Sequence, residues 1–290
     1  MQLTRGERAF AIFNYIFLLI LATVFVLPLL SVLASSLVGQ EEWARRGAHI
    51  LVPEQVDLTS YRLLLRPGSL FFSGFMISVA RVVVGTSLNL AFTTTLAYVL
   101  SKRQIPGRAA ITLFVFITMV FNGGLIPQYI LVDSLRLTDT FWAMILPVLV
   151  NPWFMFIMRN FFMGIPESLE EAAIMDGAQP AQRLLRIILP LSLPSIATIG
   201  MFYAVFHWNE WFQAFIYIND ARSLPLQVVL RQILVSAMVE DTDIVSIDRM
   251  PPTETIRSTM IVLTVTPILC VYPFIQKYFV KGALIGSVKG

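Results

Sequence analysis

The chain has 290 residues, 57% of them hydrophobic and 13% charged, with a formal net charge of +3. Soluble domains carry about 25% charged residues, so this composition, with a mean hydropathy of +0.75, belongs to membrane proteins rather than soluble enzymes. So slight a charge implies no nucleic-acid partner, the single Cys270 excludes an internal disulfide or zinc cluster, and His49 and His207 offer no metal-ligand spacing.

Crossing a bilayer as a helix takes roughly 20 apolar residues. Six windows qualify, at approximately 11–37, 71–101, 110–131, 140–163, 188–218 and 257–280. All are too long for strands, and backbone groups in lipid must be satisfied internally, so the expected fold is all-α and polytopic, with six transmembrane helices. Arg5 and Arg8 precede the first window, and the uncharged stretch from Ala9 to Gln40 far exceeds the roughly 7–15 residues of a signal-peptide core, so it reads as a retained anchor. Residues 39–70 form a polar loop carrying Glu41, Glu42, Arg45 and Arg46. Two regions are expected: 1–69, with the N-terminal tail, first helix and loop, and 70–290, the core of the transmembrane domain. Pro28, Pro127, Pro147, Pro152, Pro194, Pro267 and Pro273 fall inside the windows. Transmembrane helices tolerate such residues as kinks, so a bundle of bent helices is expected.

Between the fourth and fifth windows lies a polar, amphipathic segment, 166–187. Pro166 and Ser168 can open a short helix there, with Glu170 and Glu171 in its first turn, where carboxylates favour the positive helix end. Ala172 and Ala173 are small enough to let that helix seat in a groove. Gly177 can take the left-handed conformation that ends it, and Pro180 suits the start of the next helix. Further on, 221–256 forms a second polar loop, and LPLQVVLRQILVSAMV (224–239), with Arg231 near its middle, is expected as an amphipathic helix on the outer face. Six crossings put both termini on one side. Assigning that side to the cytoplasm places Arg5, Arg8, Arg103, Arg108, Arg159, Arg183, Arg186 and all four lysines (Lys102, Lys277, Lys281, Lys289) inside, together with the Glu171 loop.

The stretch EAAIMDGAQPAQRLLRIILP (171–190) resembles, position for position, the cytoplasmic loop signature of binding-protein-dependent ABC importer permeases: Glu171-Ala172-Ala173, then Gly177, Ile187, Leu189 and Pro190 at the family's spacing. FNGGLIPQYILV, TFWAMILP, MRNFFMGIPESLEEAA, FYAVFHWNEWFQAFIYI and the tail QKYFVKGALIGSVKG extend the likeness to the carbohydrate-uptake class, nearest the maltose-type second permeases and their LplC-like branch. The resemblance implies an inner-membrane permease subunit forming half of a sugar path. It implies a second permease subunit, two ATPase subunits and a solute-binding protein as partners. Glu170, Glu171, Ala172, Ala173, Asp176 and Gly177 would then make the coupling contact with an ATPase subunit. That branch includes importers of uronate polymers such as alginate, so an acidic oligosaccharide is one expected substrate.

No Gly-x-x-x-x-Gly-Lys-Ser/Thr sequence occurs, so ATP and Mg²⁺ belong on partner subunits and the chain itself binds no cofactor and is not an enzyme. Within the windows, Arg81, His207, Asn209 and Glu210 are the polar exceptions. A charge at membrane depth usually faces protein or water, so Arg81 and Glu210 either snorkel, pair with each other, or line a translocation path. Trp208 and Trp211 could stack on sugar rings in such a path, or serve as packing. Two other classes compete. An ion-driven secondary transporter would show paired broken helices in internal repeats, and an intramembrane transferase would need clustered acidic or His residues, for which Glu210 with His207 is the candidate pair.

Overall fold

A computed structural model describes residues 4–47, 50–236 and 254–287, and every regular element among them is a helix. His49, Lys289 and residues 237–239 of the expected outer helix lie outside the described residues. Two compact units are present: Met1–Phe72 with Leu230–Thr266, and Ser73–Val229 with Pro267–Gly290.

In the first unit, α1 (Arg5–Ser36) runs for 32 residues with Pro28 inside it. Thr4 and Glu7 form a reciprocal cap, the Thr4 N–H donating to Glu7 at 2.7 Å and the Glu7 N–H to Thr4 Oγ1 at 3.3 Å. At about 1.5 Å per residue this helix outspans a hydrocarbon core of about 30 Å. Its large apolar side chains stay exposed from Phe10 to Leu33, the pattern of a helix solvated by lipid. Packing begins only at its end, where Ala34 and Val38 meet Ile50 and Trp43. Trp43 belongs to α2 (Gln40–Arg46), and α3 (Thr59–Leu64) returns Tyr61 to within 2.7 Å of Ser36 Oγ. The Glu42 carboxylate accepts the Glu54 N–H at 2.9 Å and pairs with Arg46 at 2.6 Å. That N–H, then Arg46, holds the Glu42 pKa below the usual carboxylate range.

The second unit departs from the expected smooth kinks. α4 (Leu70–Ser101) is continuous. However, α5 (Arg108–Val120) and α6 (Leu125–Ser134) meet at 117°. Two 3-10 turns, Phe141–Met144 and Leu146–Val148, meet α7 (Pro152–Met163) at 52°. After α7 come α8 (Glu167–Met175), α9 (Pro180–Arg183), a π-helical turn (Leu184–Ile188) and α10 (Leu189–Leu191). α11 (Leu193–Asn209) then starts after an 86° bend at Ser192, so the window expected at 188–218 is not one helix; it ends at Glu210, before α12 (Phe212–Tyr217). Among the described residues, counting each bent pair as one span gives up to six segments long and apolar enough to cross a membrane. Proline accounts for two of the breaks, whereas the sharpest, between α5 and α6, falls at Asn122-Gly123-Gly124, with Gly124 at φ 88°. Pro152 and Pro194 occupy first-turn positions of new helices, where a missing N–H costs nothing. Pro28, Pro267 and Pro273, by contrast, remain inside α1 and α14 (Glu254–Ser287).

The expected amphipathic helix is α13 (Leu226–Ser236), with Leu226 and Val228 buried and Arg231 exposed. Its first N–H donates to Ser78 Oγ of α4 at 2.9 Å. Ser78 starts a stripe along α4 that the sequence reading did not isolate: Ser78, Arg81, Gly85, Asn89 and Thr93, recurring every three or four residues. Each faces protein, and the four with side chains are fully or nearly buried. Asn89 donates to the Val148 carbonyl at 2.7 Å and lies 3.0 Å from His207 Nε2, while Thr93 Oγ1 lies 2.7 Å from the Tyr203 hydroxyl.

Gly85 is where α4 and α11 approach most tightly, since a Cβ there would lie 2.5 Å from His207 Nε2 and 2.7 Å from Cε1. Gly85→Ala is therefore expected to destabilise the purified protein by about 1–3 kcal/mol. Thermal unfolding in detergent checks this, with Gly85→Ala/His207→Ala recovering part of the loss. An unchanged unfolding temperature for Gly85→Ala alone would show that the helices separate without cost.

Candidate functional site

The loop helix α8 carries its candidate side chains on two faces. Its end is closed by a complete left-handed cap. Gly177 sits at φ 76°, its N–H donates to the Ile174 carbonyl at 3.0 Å, and the Ala178 N–H reaches back to Ala173 at 2.9 Å. Glycine is required there because an L side chain is strained at that φ whatever the free space. The expected turn into α9 is also present. Pro180 is its first residue, and Gln179 and Gln182 cap each other. Beyond it the Leu189 N–H bonds back to Leu184, five residues earlier. The Leu-Pro of the loop signature thus marks a widened turn ahead of the break before α11.

Of the six residues expected to make the coupling contact, Glu170 and Ala173 turn inward, and Glu171, Ala172, Asp176 and Gly177 stay exposed. Around the outward residues lies an uncovered apolar surface, with Met175 87%, Ile174 52% and Leu169 43% exposed. On a loop helix otherwise rich in carboxylates, so exposed an apolar surface stands out. The inward Glu170 forms an ion pair with Lys102, just past the end of α4. It also lies 3.9 Å from Arg183 of α9 and 3.5 Å from the Tyr98 hydroxyl. The Lys102 ammonium stands 4.7 Å from the centre of the Tyr98 ring. Lys102 and Arg183 entered the sequence reading only as topology signals; the tertiary fold gives both a specific partner. These groups line a polar cleft of about 560 Å³ that also includes Arg103, Glu167 and Glu171.

At membrane depth, Arg81 and Glu210 pair, as one reading of the sequence had it. The Arg81 side chain is 0% exposed, and its guanidinium donates to Glu210 Oε2 and to the Glu210 carbonyl, each at 2.7 Å, and to the Met144 carbonyl at 3.2 Å. Glu210 in turn accepts the Gln213 N–H at 2.9 Å, opening α12. Trp208 is buried edge-on against Phe75 at 6.1 Å, whereas Trp211 packs on Phe212 and Phe215 and is half-buried. Asn209 is exposed and donates to the Val205 carbonyl at 2.9 Å. Of the five candidate path residues, Arg81 and Trp208 are therefore closed off in this conformation. A cavity of about 560 Å³ lies between α4, α11 and α14, lined by Val83, Thr86, Gly200, Trp208, Pro267 and Val271 among others. Its polar atoms without a hydrogen bond among the described residues are Thr86 Oγ1 and Trp208 Nε1, too few to satisfy a sugar's hydroxyls.

A coupling-type loop between broken apolar spans defines a transporter's membrane subunit, and comparison with known proteins agrees. Residues 5–284 match the family described as "Binding-protein-dependent transport system inner membrane component". The chain belongs to this family of ABC transporter permease subunits, which are not themselves enzymes and leave ATP hydrolysis to partner subunits. It is 42% identical to the polygalacturonan/rhamnogalacturonan transport system permease protein YtcP of Bacillus subtilis (strain 168), over 98% of this chain and 99% of that one. It is likewise 42% identical to protein LplC of the same organism, over 100% and 98%. The crystal structure of a bacterial ABC transporter involved in the import of the acidic polysaccharide alginate superposes with a TM-score of 0.85 and 30% identity, covering 96% of this chain and 99% of the other. An enzyme or an ion-driven carrier is thereby set aside.

Removing one partner of a buried ion pair leaves the other charge without compensation, which costs about 3–5 kcal/mol. Arg81→Met is expected to destabilise the purified subunit on that scale, and Arg81→Met/Glu210→Gln to recover much of the loss because no bare carboxylate remains. A double-mutant cycle on thermal unfolding measures the coupling. Additive effects of the two changes would show that the pair is not an energetic unit.

Proposed function

We propose that the chain is one of two permease subunits in an ATP-driven carbohydrate importer, and that its substrate class is an acidic oligosaccharide. The substrate reading is supported by the relatives. Polygalacturonan, rhamnogalacturonan and alginate are all polymers containing uronate units, and proteins named for their transport are similar to this chain over nearly its whole length. A solute-binding protein delivers the sugar on one side, and two ATPase subunits carrying ATP and Mg²⁺ dock on the other. Both termini and the α8 loop face the cytoplasm.

The observation that carries the coupling role is the division of α8 into a clamped face and an open one. Glu171, Ala172, Ile174 and Met175 form the open face, which suits insertion into a cleft of an ATPase subunit. Glu171 there makes a charge-assisted contact with an Arg or Lys of that subunit. On the clamped face, the ion pair of Glu170 with Lys102 ties the helix to the end of α4. When the ATPase subunits close on ATP, α8 is displaced, α4 follows through that tie, and the membrane helices alternate between inward- and outward-facing arrangements. Asn209 and Trp211, the accessible members of the candidate set, are the residues placed to meet substrate, with Arg81 and Glu210 holding the scaffold behind them.

Glu171→Lys should abolish the ATPase stimulation produced by binding protein and substrate while leaving the subunit inserted and folded. Reconstituted transporter in proteoliposomes measures both, and normal coupled transport by this variant would sink the coupling assignment. Topology is tested by single cysteines in a Cys270→Ser background, since Cys270 is itself exposed. A cysteine at the exposed position of Gln179 should react only from the cytoplasmic side, and one at that of Gln55 only from the other. Labelling of Gln179→Cys from outside would place the loop beyond the reach of any ATPase.

A further inference from the structure

Two guanidiniums converge on one carbonyl near the loop-side end of α4. Arg108 Nε donates to the Leu100 carbonyl at 2.9 Å, and Arg159 Nε donates to the same oxygen at 2.8 Å. Arg108 also donates to Met163 Sδ at 3.7 Å, but among the described residues neither arginine has a carboxylate partner, so two positive charges stand side by side on neutral acceptors. Arg108 is also the first residue of α5, whose N-terminus, preceded by Gly107 at φ 76°, has no side-chain cap. The positive end of that helix's dipole adds potential at the same place. From this basic end a groove of about 500 Å³ lies between α5 and α7, both parts of apolar spans, lined by Thr112, Leu113, Phe116 and Phe156. Inside it the Thr112 hydroxyl is buried with no hydrogen-bond partner among the described residues. Beside the groove Phe114, at 67% exposed, and Ile111 face outward.

A pair of uncompensated cations at the mouth of an apolar groove between spans has the charge and shape of an anionic glycerophospholipid. We propose that this groove binds one such lipid, with its phosphate on Arg108 and Arg159 and one acyl chain against Leu113, Phe116 and Phe156. Neutralising the two guanidiniums would fix the Leu100 carbonyl contact and hence the loop-side end of α4, so occupancy stiffens the element that carries the Glu170 tie. The leaflet that supplies the lipid rests on the proposed topology; the site itself does not.

The test is native mass spectrometry of the intact transporter in mild detergent with added phosphatidylglycerol or phosphatidylcholine. Wild type should retain one more phosphatidylglycerol per copy of this chain than phosphatidylcholine. Arg108→Gln/Arg159→Gln should weaken that retention roughly tenfold or more. Because those arginines also hold Leu100, Leu113→Trp supplies the second variant: it keeps both cations, fills the groove, and should lose the lipid equally. Lack of preference in wild type, as when a partner helix closes the groove, overturns the proposal, and so does retention by Leu113→Trp. Displacement of the phosphatidylglycerol by equimolar inorganic phosphate would instead mark a simple anion site and overturn the lipid assignment. The amount of ATPase subunit co-purifying reports separately on the coupling loop, so failure of that reading is distinguishable from failure of this one.

Discussion

A backbone carbonyl left unpaired in hydrocarbon costs several kcal/mol, and each broken span in this chain strands some of them. The fold depends on how those carbonyls are met. Val148, at the end of the second 3-10 turn, accepts from Asn89, and Met144, at the end of the first, accepts from Arg81. The carbonyl of Glu210, where α11 stops, also accepts from Arg81. At the opening of α7, the Asn151 N–H donates to the Tyr203 hydroxyl, itself bonded to Thr93, while the Asn151 side chain caps the N–H groups of Trp153 and Phe154. Three of these ties come directly from α4 and a fourth reaches it through Tyr203. The unbroken helix supplies polar groups to its broken neighbours, and Gly85 lets one of those neighbours come close enough to use them.

The same logic explains why two adjacent glutamates have unlike surroundings. On a helix, neighbours in sequence point about 100° apart, so Glu170 and Glu171 cannot share a face. Glu170 meets Lys102, Arg183 and the Tyr98 hydroxyl within the subunit, whereas Glu171 is left outward beside Met175 and Ala172. A carboxylate with three partners fixes the helix; one with none among the described residues is free to find a partner elsewhere. In the proposed mechanism both are needed, because an ATPase can move the membrane helices only if the helix it grips is itself held to them.

Much of this was legible in the sequence. The six apolar windows, the amphipathic run from Leu226, the left-handed Gly177 and the opening of α9 at Pro180 all follow from local chemistry: length, charge and the conformational limits of glycine and proline. The breaks were less legible, because a proline inside an apolar run is compatible with a kink or with a new helix. Pro28 and Pro267 kept their helices, whereas Pro152 and Pro194 began new ones, and nothing local to the proline distinguishes the two cases. The α4 stripe was readable as small and polar residues spaced three or four apart, though only Arg81 stood out by charge. The partners of Glu170 and the shared acceptor of Arg108 and Arg159 are tertiary facts. Lys102 and Glu170 are 68 residues apart, and no local pattern links them.

Two routes lead from α8 to α11, and they differ in stiffness. The covalent one passes through α9, a π-helical turn and an 86° bend at Ser192. Widened turns and bends absorb displacement by changing dihedrals, so this route is compliant. The other passes through the Glu170–Lys102 pair into the end of α4, then along a continuous 32-residue helix to Asn89 and Thr93, which hold His207 and Tyr203 of α11. An α-helix resists bending and compression far better than a chain of breaks does. In the proposed mechanism a push on the loop helix therefore reaches α11 chiefly through polar ties, although α11 is the next long helix in the sequence. The ties of Asn89 and Thr93 tolerate little loss, since both residues are fully buried and have no water to turn to.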